Sequence, residues 1–273
     1  MNHSYAYEEK RYEIHVPGMP RGTRFRLAFL SDLHNCAYDE IIRRLEKAKP
    51  DAVLCGGDIA NCPKFPLLPS WSTALSFYAA LAGKYPVYAV PGNHEARWRE
   101  AKDPKLRASY EDFHAQLQAF GAVLLENRIV TIEAGGICLN LAGLDPDRRV
   151  YKVRTRGERA FPDGEIERLI GPKPEGFTVL LSHTPNAAAD YAAWGADLVL
   201  SGHLHGGIVR LPKLGGLLGP GLQLLPPYTK GKYVIGQTAL IVGAGLGEHS
   251  IPVRVGNPRH IVYVDLIPRE SKE

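Results

Sequence analysis

The residues able to do chemistry fall into five short clusters: Asp32-Leu33-His34, Gly57-Asp58, Gly92-Asn93-His94-Glu95, His183, and Gly202-His203-Leu204-His205. Their side chains offer carboxylate oxygens, an amide oxygen and imidazole nitrogens. Mixed oxygen and nitrogen donors suit borderline divalent ions such as Mn2+, Fe2+ or Zn2+, and not Ca2+. No thiolate belongs to the set, which argues against a structural zinc site. Asp32, His34, Asp58, Asn93, His94, His183, His203 and His205 are too many donors for one ion. Two ions about 3.5–4 Å apart that share a carboxylate would use them all. Singly, each cluster is ordinary. Asp32-x-His34 reads as an Asx-capped turn, Gly57-Asp58 as a turn dipeptide and His183 as a hydrogen-bonded core histidine. His203-x-His205 presents both rings on one face only if the chain is extended.

Their shared position is what singles them out. The apolar run Phe25–Leu30 ends at Asp32-x-His34, Ala52–Cys55 runs into Gly57-Asp58, and Val87–Val90 stops before Gly92-Asn93-His94. Phe177–Leu181 leads to His183, and Leu198–Leu200 leads to His203-x-His205. Between the first three runs lie helical patterns. Ile41, Ile42, Leu45 and Ala48 share one face before Pro50, and a second helix is predicted over about Thr73 to Gly83. A third carries Tyr110, Phe113, Leu117 and Phe120. Further strand-like runs are Ile137–Ala142, Tyr233–Ile235, Ala239–Val242 and Ile261–Leu266. In layered α/β sheets, ligands bind beyond the carboxyl ends of the strands, so the five clusters should converge on one rim.

With 273 residues, a net charge of +4, 23% charged and 45% hydrophobic residues, the composition is that of an ordinary globular chain. It excludes a disordered chain, a fibrous protein and a disulfide-stapled mini-domain. At roughly 150 residues per domain the length allows one large or two small domains; with no linker in the sequence, one domain over 1–273 is expected. The charge is too mild to argue for nucleic acid. No N-terminal signal pattern and no apolar run of about 18 residues is present, so the expectation is a cytoplasmic protein, at most peripheral to a membrane. The four cysteines make no C-x-x-C pair. Cys55 and Cys138 read as buried small hydrophobes, while Cys36 and Cys62 follow the metal-type motifs without an assigned role. His3, His15, His114, His249 and His260 also receive none.

The ordered series Asp32-x-His34, Gly57-Asp58, Gly92-Asn93-His94-Glu95, His183 and Gly202-His203-x-His205 resembles the calcineurin-like metallophosphoesterase superfamily. All five signature blocks stand in the family's order between Phe25 and about Gly207. The tail is similar to a bacterial branch that includes phosphodiesterases and UDP-diacylglucosamine pyrophosphohydrolases. The pieces that carry this likeness are Arg210-Leu-Pro212, Tyr228 to Tyr233, Gly245-Leu-Gly247, Pro252-Val-Arg254 and Ile261–Val264. The resemblance implies a four-layer αββα sandwich, an α/β fold of two mixed sheets flanked by helices with the site at the strand C-terminal ends. It implies a first metal on Asp32, His34 and His205, a second on Asn93, His183 and His203, and Asp58 bridging them. His94 stays off the metals and stabilises or protonates the leaving group. A hydroxide between two divalent ions would attack phosphorus in line, with the Asp32 and Asp58 charges leaving about +1 to receive the phosphate. A phosphodiester or pyrophosphate is expected, with a phosphomonoester or nuclease activity as the alternative and a non-catalytic metal-binding scaffold as a distant one.

Other segments bear on the substrate. Leu211 to Lys232 holds seven leucines and four prolines without period. It reads as a loop folded on the core or as an apolar lid for a lipid-linked substrate or a membrane surface. Arg97 to Arg107 carries five Lys/Arg and Trp98; it reads as a solvated helix face, or as a grip for a second phosphate or a base. Glu95 reads equally as support for His94 or as surface, and Arg254 as a structural partner of the core. Gly243-x-Gly245-x-Gly247 falls one residue short of a dinucleotide fingerprint, and too little chain follows it for a full βαβ unit.

Overall fold

A computed structural model describes residues 6–61, 70–152, 158–207, 209–211, 215–219, 223–248 and 254–269. Cys62, His3, His249 and parts of the 211–232 segment and of Pro252-Val-Arg254 lie outside the described residues. In chain order the first half runs β1 (Tyr7–Val16), β2 (Phe25–Leu30), α1 (Asp39–Ala48), β3 (Ala52–Cys55), α2 (Ser72–Ala82), β4 (Val87–Ala89), α3 (Asn93–Arg99), α4 (Pro104–Ala119) and β5 (Val123–Leu124). The second half runs β6 (Arg128–Ala134), β7 (Ile137–Leu144), α5 (Glu165–Ile170), β8 (Phe177–Ser182), α6 (Ala188–Trp194), β9 (Leu198–Ser201), β10 (Arg210–Leu211), β11 (Gly215–Gly216), β12 (Gly231–Ile235), β13 (Thr238–Val242) and β14 (Arg259–Pro268).

Two mixed sheets carry the fold. The first has the order β1-β14-β2-β3-β4-β5, parallel from β2 to β5, with β14 antiparallel to β2. The second has the order β12-β13-β9-β8-β7-β6, parallel from β13 through β7, with an antiparallel strand on each flank. Alternation along the strands explains the layering. In β2, Leu27 and Phe29 enter one apolar cluster with Leu141, Val179, Leu181, Leu198, Leu200 and Ile241 of the other sheet, which is the seam between the sheets. Ala28 and Leu30 face the opposite way, onto Ile41, Leu45, Phe77, Leu81 and Phe113 of α1, α2 and α4. On the far side, Leu180, Val199 and Leu240 pack under Ile166, Ile170 and Tyr191 of α5 and α6. Strands buried on both faces read as apolar runs, unbroken in β3 (Ala-Val-Leu-Cys) and interrupted only by Thr178 before Ser182 in β8. The result is the expected order of helices, sheet, sheet, helices.

Strand β1 had no sequence signal. It is mostly polar and half exposed, and is held by parallel pairing to β14 along its whole length. The expected burial of Cys138 is wrong. The residue is exposed on β7, opposite Glu133, beside the Gly135-Gly136 turn. Leu139 turns into the seam and Cys138 alternates onto the outer face, where the helix-covered cluster takes in β7 only from Ala142 on. Cys55 is buried as expected. No helix among the described residues is long and apolar enough to cross a membrane.

Candidate metal centre

Strands β2, β3, β4, β8 and β9 deliver the five clusters to one rim, and their loops are laced together by backbone hydrogen bonds. Asp32 N–H donates to Gly57 O at 2.9 Å, His34 N–H to Asp58 O at 3.1 Å, and Gly202 N–H to His183 O at 2.9 Å. The loops nest because glycine stands where they meet. A Cβ on Gly57 would lie 2.6 Å from Gly92 N, and one on Gly92 would overlap the Asp58 carboxylate. The chain also turns left-handed at the donors themselves, with φ of 54° at Asp32, 50° at His34, 52° at Asp58, 68° at His203 and 49° at His205. Aspartate and histidine tolerate this region better than branched residues, and strain of this kind persists where the surroundings over-determine it. The left-handed turn settles what the sequence left open for His203-x-His205. The rings diverge, and His205 joins Asp32 and His34 while His203 joins Asp58 and His183.

Three groups of donor atoms lie within 4.8 Å of one another: Asp32, His34 and His205; Asp58, His183 and His203; and His34, Asp58 and His94. The groups adjoin, with His183 Nε2 3.1 Å from Asp58 Oδ2 and 3.7 Å from Asp32 Oδ1. His205 Nε2 stands 3.3 Å from Asp32 Oδ1. His34 Nε2 and His205 Nε2 are 3.1 Å apart; two imidazole nitrogens so close either share a proton or both offer lone pairs to a cation. Asn93 Oδ1 is buried with no hydrogen-bond partner among the described residues, as an amide oxygen reserved for a ligand would be. These observations fit divalent ions. His94 is close enough to Asp58, at 3.9 Å, that distance alone does not separate it from the donors.

Hydrogen bonds aim the side chains. His183 Nδ1 donates to Gly56 O at 2.6 Å, which turns Nε2 towards Asp58. His94 N–H donates to Asp58 Oδ1 at 2.8 Å, and His203 N–H to the Asp32 carboxylate at 3.1 Å. Glu95 is not a surface residue. Buried, it accepts the backbone N–H groups of Asp58, Ala60 and Gly92 at 2.9–3.0 Å, tying the β3 and β4 loops together. Its place at N3 of α3, behind Gly92 at the N-cap, was the available signal. The Gly243-x-Gly245-x-Gly247 stretch is a rail beyond β13, where Gly247 N–H donates to Asp32 O at 2.6 Å and Leu246 N–H to Ser31 O at 3.0 Å. Arg254 donates from its guanidinium to Ala244 O and Gly247 O, so it braces that rail as the structural reading expected.

Trp98 is no stacking platform: it is buried, edge-on to Trp71 at 6.5 Å. Arg99 pairs with Asp145 and Glu126, and Arg107 with the Ala101 and Lys102 carbonyls. The basic stretch is therefore partly tied down, Arg99 to the segments after β5 and β7 and Arg107 to the turn between α3 and α4.

Burial and neighbouring charge set the protonation states. Burial, then the neighbouring His205, holds His34 down to about 3, and burial with His183 does the same to His203. Burial alone would raise Asp58, yet His183 and His94 hold it well below the carboxylate range. His183 is the exception. Burial lowers it, but Asp58 and Asp32 outweigh burial and push it up to about 10.

A model of the calcineurin-like phosphoesterase family matches residues 25–207. An uncharacterised metallophosphoesterase of Bacillus subtilis, YkoQ, is 28% identical over 90% of this chain and 85% of its own. An uncharacterised metallophosphoesterase of Aquifex aeolicus is 25% identical over 96% of this chain and 93% of its own. Among solved structures, phosphopantetheinyl hydrolase from Mycobacterium tuberculosis superposes with a TM-score of 0.46 at 16% identity, covering 81% of this chain and 89% of that one.

Two outcomes follow from the geometry. A ligating His183 must be neutral, so metal binding at pH 7 should expel about one proton, and metal affinity should rise with pH by up to tenfold per unit. Calorimetry in buffers of different ionisation enthalpy reads the proton; binding with no proton release would contradict the assignment. Glu95→Gln replaces one acceptor oxygen by an amide donor facing backbone N–H groups. It should weaken metal binding by about 10- to 100-fold in a metal titration, and an unchanged affinity would deny the loop-tying role.

Proposed function

The chain belongs to the calcineurin-like phosphoesterase family, and from that premise we propose that it is a two-metal phosphohydrolase acting on a phosphodiester or pyrophosphate. In this reading Asp32, His34 and His205 hold one ion, Asn93, His183 and His203 hold the other, and Asp58 bridges them. The observation that carries it is the meeting of the two donor groups across His183, Asp58 and Asp32, at 3.1 and 3.7 Å; the buried Asn93 oxygen, between Gly92 and His94 in sequence, has no hydrogen-bond partner among the described residues. Mn2+, Fe2+ and Zn2+ all suit the donor set.

Divalent ions bound there would supply Lewis acidity towards phosphoryl oxygens and a hydroxide nucleophile at neutral pH. The chain's own groups do the rest. Asp32 and Asp58, kept ionised, offset the ionic charge, and the neutral His34 and His203 present lone pairs. His183 is locked by Gly56 O in the tautomer that leaves Nε2 available. His94, anchored by its N–H on Asp58, has its ring 4.8 Å from that of His34, near enough to donate to the departing oxygen. The preference for a diester or pyrophosphate rests on the resemblance of the tail.

We also read the chain as one domain over 1–273, cytoplasmic or peripheral to a membrane, with a lipid-linked substrate. Two observations support the lipid element. Residues 198–247 contain no Asp or Glu while holding Arg210, Lys213, Lys230 and Lys232. The described part of 211–232 exposes Leu224 at 77% and Leu225 at 62%, on a ribbon joined to the His205 loop through Gly207 and Gly216. Exposed leucines on a stretch whose own residues include no acid suit an anionic lipid surface; of its cations, Lys230 is paired with Glu8 at 2.7 Å.

The test is metal-stripped protein resupplied with each ion and offered diesters, monoesters and nucleotide-sugar lipids. Asp58→Asn should cut every activity by on the order of a thousandfold, and retained turnover would overturn the bridging role. Leu224→Ser with Leu225→Ser should lower turnover of lipid-linked substrates about tenfold or more and leave a small chromogenic diester unaffected. Equal losses on both would sink the lipid reading.

A further inference from the structure

A tyrosine outside every motif stands against the second donor group. Tyr151 lies in the short turn Val150–Lys152 after β7. Its ring meets the His203 ring edge to face, with centroids 4.8 Å apart, and lies 6.0 Å from the His183 ring. The backbone there is fixed, because Asn186 Nδ2 donates to Tyr151 O at 3.3 Å. Asn186 in turn sits three residues after His183, its N–H donating to Thr184 Oγ1 at 3.2 Å. The Tyr151 hydroxyl oxygen is sealed from solvent and has no hydrogen-bond partner among the described residues. A buried hydroxyl without a partner costs free energy, and one that stands in a functional cleft is explained when the partner arrives with the ligand. Asn93 Oδ1 is orphaned in the same way. The Asn93 oxygen can only accept, from a donor or a cation. A phenol, protonated at neutral pH, offers a proton.

We propose that the Tyr151 hydroxyl is a substrate contact, donating a hydrogen bond to a non-bridging oxygen of the phosphoryl group bound on the His183–His203 side of the site. This rests on the two-metal reading above. The chemistry is complementary, since the non-bridging oxygens of a phosphodiester only accept hydrogen bonds and carry charge through the transition state. A neutral donor serves them without adding positive charge to a site already crowded by cations. The edge-to-face packing on His203 and the Asn186 tether hold the ring before substrate arrives, which is the condition for a fixed donor to assist catalysis. The covalent steps are unchanged: Tyr151 keeps its proton throughout.

Tyr151→Phe tests this directly, because it keeps the ring against His203 and removes only the hydroxyl. With a small phosphodiester, kcat/KM should fall by about 10- to 100-fold. Affinity of the metal-loaded protein for inorganic phosphate, read by calorimetry, should fall about tenfold. Metal content should match the wild type, and the thermal midpoint should be no lower, since an unpaired buried hydroxyl is removed. Phosphate affinity and kcat/KM within twofold of wild type would overturn the proposal. So would a loss that follows lost metal and is restored by excess metal, which would make the ring a mere support for His203. If the wild type hydrolyses no phosphoester with any ion, the two-metal reading fails instead, and phosphate calorimetry on wild type and variant still decides the role of Tyr151.

Discussion

The rim is organised by one electrostatic constraint: two buried carboxylates are pressed against several imidazoles, and their charge must be met by positive charge held among them. Asp32 and Asp58 are each almost wholly buried, in a medium where an unpaired carboxylate is costly. Without an ion, a protonated His183 between them meets part of that cost. In the proposed centre the same nitrogen would become a ligand and its proton would leave. Folding and metal binding are thus linked through one histidine, and the site is assembled to be completed.

The scaffold's contribution is to impose this crowding. Five parallel strands from two sheets end at the same edge, and the seam beneath them is filled by Phe29, whose ring lies under Gly56 and Gly243. The loops beyond are held by each other's backbone groups, by the Glu95 carboxylate on one side and by the Gly243–Gly247 rail on the other. Left-handed turns at five donors are affordable only because so many bonds fix them. A loop of different composition would relax, and the donors would splay.

Much of this was legible in the chain. The strand exits were readable because β2, β3, β8 and β9 are buried on both faces and so appear as plain apolar runs. The helices of the first half were readable from their apolar spacing, as with Ile41 and Leu45 on α1. The polar edge strand β1 was hidden because its pairing with β14, 252 positions away at Tyr7–Arg259, leaves no local period. The divergence of His203 and His205 was hidden too, since it depends on φ and not on spacing. Glu95 was visible as a motif residue, but its work on three distant N–H groups was not. Tyr151 had no signal, because it reaches the site by tertiary packing alone.

In the proposed centre Asp58 joins two ions. Electron paramagnetic resonance of protein titrated with Mn2+ tests it most directly. The account predicts saturation at two ions per chain and, at the second equivalent, the spectrum of an exchange-coupled pair about 3.5–4 Å apart. Saturation at a single, uncoupled ion would contradict it.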